Sequence, residues 1–275
     1  MSEYIKTPLL FDLRETLDCG QCFRWSELET ENDGDTVWGG TAFGKYLKVK
    51  QTSDSLYFYC NETDFKNIWT LYFDLDTNYD KIRAELSDMN AILKEAAEFA
   101  PGIRILVQDS WEALCSFIIS QNNNISRIKG IVSKFCENFG EKSGEFFCFP
   151  TAEKISQFTV EDLAPIRSGF RAKYIISAAK AVCSGEVDFT KIKNSPVDFG
   201  RTELQKINGV GPKVADCALL YGFHKTECFP LDTWMKKAMA KFFPGVSPEA
   251  FGKNAGLAQQ YIFHYSRMHP ELFRD

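Results

Sequence analysis

From Thr36 to Cys60 apolar and polar residues alternate in short runs, TVWGGTAFGKYLKVKQTSDSLYFYC, rich in aromatic and β-branched side chains. Such residues suit a pleated, half-buried surface. Gly39-Gly40, Gly44 and the Thr52–Ser55 cluster punctuate them, so the segment predicts strands joined by turns. The acidic stretch Glu27–Asp35, with Asn32-Asp33-Gly34, predicts a surface hairpin or loop. Near Asp64 the period changes. FKNIWTLYFDL and KIRAELSDMNAILKEAAEFA carry apolar residues at helical spacing and predict helices ending near Pro101-Gly102. Beyond residue 101 the strand signal fades. SWEALCSFIIS, ISRIKGIVSKFCENFG, AKYIISAAKAVC, RTELQKI, PKVADCALLYGF, TWMKKAMAKFF and AGLAQQYIFHYSRMH all repeat at the helical period. The pattern predicts an α+β protein, with an N-terminal antiparallel β-sheet domain over residues 1–100 and a helical region over 101–275. No internal repeat, low-complexity tract or long linker interrupts it.

Composition adds bounds. The 275 residues are enough for two or three cores, and 44% hydrophobic with 25% charged residues is ordinary for a globular chain. No apolar run of about 18 residues occurs, which excludes a membrane-spanning helix. MSEYIKTPLL lacks a basic region, an apolar run and a cleavage site, so an intracellular protein is expected, in cytoplasm and nucleoid or in a nucleus. The nine cysteines are odd in number and mostly sit among apolar residues, as expected of reduced buried thiols. Cys19 and Cys22 form a C-x-x-C pair with no second half-site and no redox-fold context, so the spacing reads as chance.

The net charge of −5 argues against a nucleic-acid partner until it is located. Residues 1–100 hold 10 basic and 19 acidic side chains, giving −9, so residues 101–275 carry +4. The acidity belongs to the N-terminal part, and the helical part is free to face phosphates.

Candidate chemistry concentrates in Leu204–Met235, LQKINGVGPKVADCALLYGFHKTECFPLDTWM. A short helix is interrupted by Asn208-Gly209-Val210-Gly211, residues that tolerate positive φ, and Pro212 suits the first position of a new helix. The result is helix, tight turn, helix. The free N–H groups of the second helix can bind phosphate, and the glycines let a DNA backbone approach. An ordinary helical hairpin would look the same. Lys213 falls in the first turn, where the helix dipole and apolar neighbours favour a neutral, nucleophilic amine. Asp232 precedes TWMKKAM and predicts a helix N-cap that keeps its carboxylate ionised beside a developing cation. Taken singly, a surface lysine and a capping aspartate would be the ordinary readings.

The run Gly209-Val-Gly-Pro-Lys213-Val-Ala-Asp-Cys217, followed by Pro230-Leu-Asp232, resembles the helix-hairpin-helix–Gly/Pro–Asp superfamily of DNA glycosylases, and within it the 8-oxoguanine DNA glycosylases. Cys19-Gly-Gln-Cys-Phe-Arg-Trp25, Ser120-Gln-Asn122-Asn-Asn-Ile-Ser-Arg127, Ser168-Gly-Phe170-Arg171-Ala-Lys-Tyr174 and Ala255-Gly-Leu-Ala-Gln259-Gln-Tyr-Ile-Phe263 resemble four further family segments, in family order. The resemblance implies a two-lobed helical core with the lesion pocket between its lobes. It implies a monomer acting on double-stranded DNA that contains an oxidised purine, without metal or organic cofactor. Lys213 would attack the sugar, Asp232 would stabilise its positive charge, and β-elimination would follow from the Schiff base. The extruded base would be read by the Gly20 carbonyl and Gln259, between Cys217 and Phe263. Asn122, Arg127, Phe170 and Arg171 would contact the opposite cytosine and neighbouring DNA, and Gly209 and Gly211 the backbone. Phe170 stands where the family commonly has tyrosine, Trp234 where relatives often have histidine, and Leu257 replaces a family tryptophan.

Three rival readings fit less of the sequence. An alkylated-base glycosylase would lack lysine at 213. An endonuclease III relative with an iron–sulfur cluster would need four C-terminal cysteines, whereas Cys228 is the last one. A non-catalytic DNA-binding hairpin would not require Lys213, Asp232 and Gln259 together.

Overall fold

A computed structural model describes residues 3–30 and 34–273. Strands β1 (Ile5–Pro8), β2 (Trp25–Leu28), β3 (Thr36–Ala42), β4 (Lys45–Gln51) and β5 (Ser55–Tyr59) form one antiparallel sheet in the order β1-β5-β4-β3-β2. The register Trp38↔Val49↔Phe58 sets three buried side chains across one face, as a period of two requires. β1 and β2 lie outside the alternating segment, and each has only four residues, too few for the pattern to register. β2 pairs with β3 from Trp25↔Gly40 to Leu28↔Val37, so the chain reverses within the acidic stretch. Asn32 and Asp33 themselves lie outside the described residues.

The principal helices are α1 (Leu13–Leu17), α2 (Tyr79–Ser87), α3 (Ala91–Phe99), α4 (Ser110–Ile119), α5 (Ile125–Phe139), α6 (Arg171–Cys183), α7 (Val197–Leu204), α8 (Pro212–Gly222), α9 (Thr233–Phe242) and α10 (Ala255–Met268). Two details depart from the periodicity reading. The helical stretch after Asn61 contains a π-helical turn at Phe65–Trp69. The long run ending at Phe99 is two helices, because the Asn90 side chain accepts from the Ile92 N–H and starts a second one. A short hairpin, Lys142–Ser143 with Phe146–Phe147, is the only sheet described beyond the first.

The two hydrophobic cores interleave along the chain, with Phe23 in the helical core and Leu106 in the core of the sheet layer. Trp25, Trp38, Leu47, Phe58, Trp69 and Phe73 pack inside the sheet layer. Tyr79, Leu86, Leu93 and Ala97 on α2 and α3 belong to the helical core, together with residues of α4 and α8. The change of period marks helix formation, but helix apolar faces choose their core by what they pack on. The two layers are also joined by a largely buried ion pair, Arg24–Glu112 at 3.0 Å, between the start of β2 and α4. Among the described residues no helix is long and apolar enough to cross a membrane.

Candidate active site

The hairpin forms as its backbone chemistry dictates. Gly209 has φ +86°, a left-handed conformation, and the Tyr174 ring lies against it so closely that a Cβ would stand 2.2 Å from Tyr174 Cγ. No side chain fits that position for either reason. Gly211 caps α8 with ordinary extended backbone and is exposed, and Pro212 opens the helix. The hairpin therefore offers bare backbone and unpaired N–H groups outward.

Lys213 is the second residue of α8 and is partly exposed. Its Nζ donates to Ser120 Oγ at 3.2 Å and sits 5.1 Å from the Phe117 ring centroid, against α4. One turn later on the same face is Cys217, which is 3% exposed. Burial pushes the Cys217 thiol up to about 11, opposed by the neighbouring Lys213 amine and aided by the Asp216 and Asp232 carboxylates. Asp232 is the N-cap of α9, where its side chain accepts the Met235 N–H at 2.7 Å and remains partly exposed. Among the described residues no ion pair joins it to Lys213, so the carboxylate's remaining acceptor capacity is available to another positive centre.

A further group of candidate residues stands where the first layer meets α10. Gly20 has φ +91°, and a Cβ there would stand 3.1 Å from Ile125 Cδ1 and 3.4 Å from Phe263 Cε1. Phe263 is partly exposed, with the Arg267 guanidinium 5.4 Å from its ring centroid. Gln259 is 5% exposed, and its Oε1 is buried without a hydrogen-bond partner. A buried amide oxygen left unpaired costs about 1–3 kcal/mol.

A second cluster lies on the surface. Asn122 (φ +47°), Arg127 and Phe170 are exposed, the last at 49%. Arg171, which the resemblance places against the opposite cytosine, is turned into the protein. It is 3% exposed and donates to the carbonyls of Ser168, Gln121 and Asn122, with Nη1–Ser168 at 3.0 Å and Nη2–Asn122 at 2.9 Å. The left-handed turn at Asn122 leaves the Gln121 and Asn122 carbonyls without helical partners, and the planar fork of arginine fits them. Arg171 braces the loop that carries Asn122. Phe170 packs edge-on to Tyr174, linking this cluster to Gly209.

The departures from the family pattern have places as well. The Trp234 indole N–H donates inward to Ser266 Oγ at 2.8 Å, which ties α9 to α10. Leu257 is buried in the helical core. Cys19 and Cys22 are buried free thiols whose S–H groups donate to the carbonyls of Thr16 and Leu17, and burial raises Cys19 to about 12. Both are core residues. Among the described residues no group of three or more His, Cys, Asp or Glu stands close enough to hold a metal ion. Sequence reasoning passed over Tyr221, Gln260 and Gln108, all buried around Gly20 and α8. A signal was available in Gln259-Gln260, two adjacent amides in an apolar helix, which cannot both face one target at 100° per residue.

Residues 4–114 match the family described as the N-terminal domain of 8-oxoguanine DNA glycosylase, and residues 115–248 match the HhH-GPD superfamily of base excision DNA repair proteins. The chain is 34% identical over 254 residues to the N-glycosylase/DNA lyase of Saccharomyces cerevisiae, covering 82% of this chain and 66% of that protein. It is 30% identical over 229 residues to a probable N-glycosylase/DNA lyase of Methanothermobacter thermautotrophicus, covering 71% of this chain and 72% of that protein. The structure of the Clostridium acetobutylicum 8-oxoguanine glycosylase/lyase, solved with double-stranded DNA containing cytosine opposite 8-oxoguanine, superposes with a TM-score of 0.88 at 38% identity over 98% of both chains. The 3-methyladenine DNA-glycosylase of Archaeoglobus fulgidus shares the fold at a TM-score of 0.66 and 18% identity, over 86% of this chain and 88% of its own.

Proposed function

Because the chain belongs to the 8-oxoguanine DNA glycosylase family of the HhH-GPD superfamily, we propose that it excises 8-oxoguanine opposite cytosine from duplex DNA and then nicks the strand. The observation that supports this reading is the Lys213 amine at the start of α8, one helical turn before the buried Cys217, together with a buried, unpartnered Gln259 amide oxygen and a Gly20 that lies against Phe263.

In this reading the target base leaves the stack and enters between α8 and α10. Its faces meet Cys217 and Phe263. Its N7–H, which guanine lacks, donates to the Gly20 carbonyl, and its Watson–Crick edge meets the Gln259 amide. Against guanine the carbonyl would face a lone pair, a loss of about 1–3 kcal/mol. Asn122 and Phe170 fill the vacated stack, Arg127 donates to the opposite cytosine, and Arg171 holds the loop beneath them. Backbone N–H groups at Gly211 and the start of α8 take a phosphate.

In its unprotonated form the Lys213 amine bonds to C1′ while the C1′–N9 bond breaks, its electron pair leaving with the purine, which is protonated as the new C1′ ammonium gives up a proton. Positive charge on the sugar is greatest midway, where the Asp232 carboxylate stabilises it most. Ring opening converts the C1′–N adduct to an imine. Loss of a C2′ proton to solvent then forms a C2′–C3′ double bond and breaks the C3′–O bond, so the phosphate leaves and the strand is cut. Borohydride reduction of the imine tests the whole sequence. The native protein should form a covalent adduct with a duplex carrying 8-oxoguanine opposite cytosine, and Lys213→Gln should form none. Absence of a native adduct, or its persistence in the variant, would defeat the reading.

A further inference from the structure

Gly20 lies between two occupied carbonyls. The Cys19 carbonyl accepts from Gln260 Nε2 at 2.9 Å, and the Gln21 carbonyl accepts from Gln108 Nε2 at 2.7 Å. Among the described residues no hydrogen bond reaches the Gly20 carbonyl itself. The Gln21 side chain fixes the rest of the turn: its amide donates to the carbonyls of Thr16 at 2.9 Å and Arg104 at 2.7 Å, and its Oε1 accepts the Leu106 N–H at 2.9 Å.

Both outer glutamines are tied to a single residue. The Tyr221 hydroxyl donates to Gln260 Oε1 at 2.6 Å, and the Tyr221 carbonyl accepts the Gln108 N–H at 2.8 Å. Tyr221 lies two turns beyond Lys213 on α8, and its ring stacks on Phe117 at 5.2 Å, the ring beside which the Lys213 amine sits. Gln260, Tyr221 and Gln108 are 1%, 4% and 7% exposed. Packed apolar side chains would fill the same space without needing partners, so amides that must each be satisfied supply direction rather than bulk.

We propose that Gln260 and Gln108, anchored on Tyr221, are positioning residues for lesion discrimination. They occupy the carbonyls on either side of Gly20, leaving one acceptor in the turn, and hold it in fixed register with the helix that carries the nucleophile. The inference rests on the reading of Gly20 as the acceptor for N7–H. It also explains why adjacent glutamines on α10 have different tasks: Gln259 faces the base, and Gln260 faces the turn.

The test separates base reading from sugar chemistry. Gln260→Met and Tyr221→Phe are compared with the native protein for single-turnover excision of 8-oxoguanine opposite cytosine, and for nicking of a preformed abasic site, where no base is read. In either variant a buried polar group loses its partner and the turn its restraint, so 8-oxoguanine excision should fall on the order of 10-fold. Abasic-site nicking should stay within about twofold, because the ring stack beneath Lys213 is kept. The double variant should lose little more than the worse single one, since both remove one relay. Equal loss of excision and nicking would make the network a general prop, and unchanged excision would make it idle; each overturns the proposal. Should Gln260→Met fail to fold, Tyr221→Phe decides alone. A native protein that nicks abasic sites yet ignores 8-oxoguanine would refute the substrate assignment itself, and that failure appears before any variant is made.

Discussion

Two glycines in one hairpin should fail in opposite ways when given a methyl group. At Gly209 the φ of +86° costs alanine about 1–2 kcal/mol. The new Cβ would also stand 2.2 Å from Tyr174 Cγ and 2.3 Å from Cδ1, an overpacking that adds about 1–3 kcal/mol. Together these destabilise by about 2–5 kcal/mol, which for a domain of this size lowers the midpoint of thermal unfolding by roughly 4–20 °C. At Gly211 the φ of −92° is ordinary and no atom lies within 4 Å of the place a methyl would take, so Gly211→Ala should cost under about 1 kcal/mol, from the poorer cap. The same methyl points from the exposed hairpin, where the phosphate backbone is proposed to come closest. Duplex binding should weaken on the order of 10-fold, the equivalent of a modest steric clash. Thermal melts and fluorescence anisotropy with a labelled abasic-site duplex read the two effects separately. A Gly209→Ala protein melting within about 2 °C of native, below the shift of a single kcal/mol, would refute the steric argument. Undiminished DNA binding by Gly211→Ala would refute the placement of DNA at the hairpin.

Further outcomes follow from side-chain chemistry. Asp232→Asn keeps a good helix cap, so its melting point and duplex affinity should stay near native while excision drops at least about 100-fold, the scale of losing one preorganised electrostatic group; parallel loss of binding and excision would assign Asp232 to structure alone. Glu15 accepts the Gly102 N–H at 2.6 Å, and burial raises its carboxyl to about 7. Between its ordinary value near 4.5 and about 7 the folded state binds this proton more than the unfolded state does, so the Glu15 contribution to stability declines as pH rises through that window. Denaturant titrations at several pH values should show a shallower decline for Glu15→Gln, and identical slopes would contradict it.

The sheet was legible where alternation ran long enough, as in β3, β4 and β5, and illegible in β1 and β2, which are held by partners distant in sequence. The hairpin was legible because positive φ, a proline at the first helical position and an N-cap are local demands that only a few residue types meet. Lys213 and Asp232 could be singled out for the same reason, each standing at a helix start. The bracing of the Asn122 loop by Arg171 was not legible, since a guanidinium serves carbonyls as readily as bases and two of the carbonyls it meets lie about fifty residues away. The sharing of helices between the two cores was not legible, because a helix announces its period but not the core on which it packs. The clamp around Gly20 was invisible for a related reason: Gln260 and Cys19 are separated by 241 positions.

Helix α4 runs from Ser110 to Ile119, while the two matched family segments meet at residues 114 and 115, inside it. What can be told apart by ancestry therefore runs through one continuous helix in the folded molecule. The first half of the rod holds Glu112, paired with Arg24, and the second holds Phe117, beneath Tyr221 and the reactive amine. A chimera joined at that seam would splice through a buried rod rather than a tether. Its success would depend on whether each parent's ion pair and ring stack agree in angle along the helix, so these two halves can be exchanged between relatives only as a matched set.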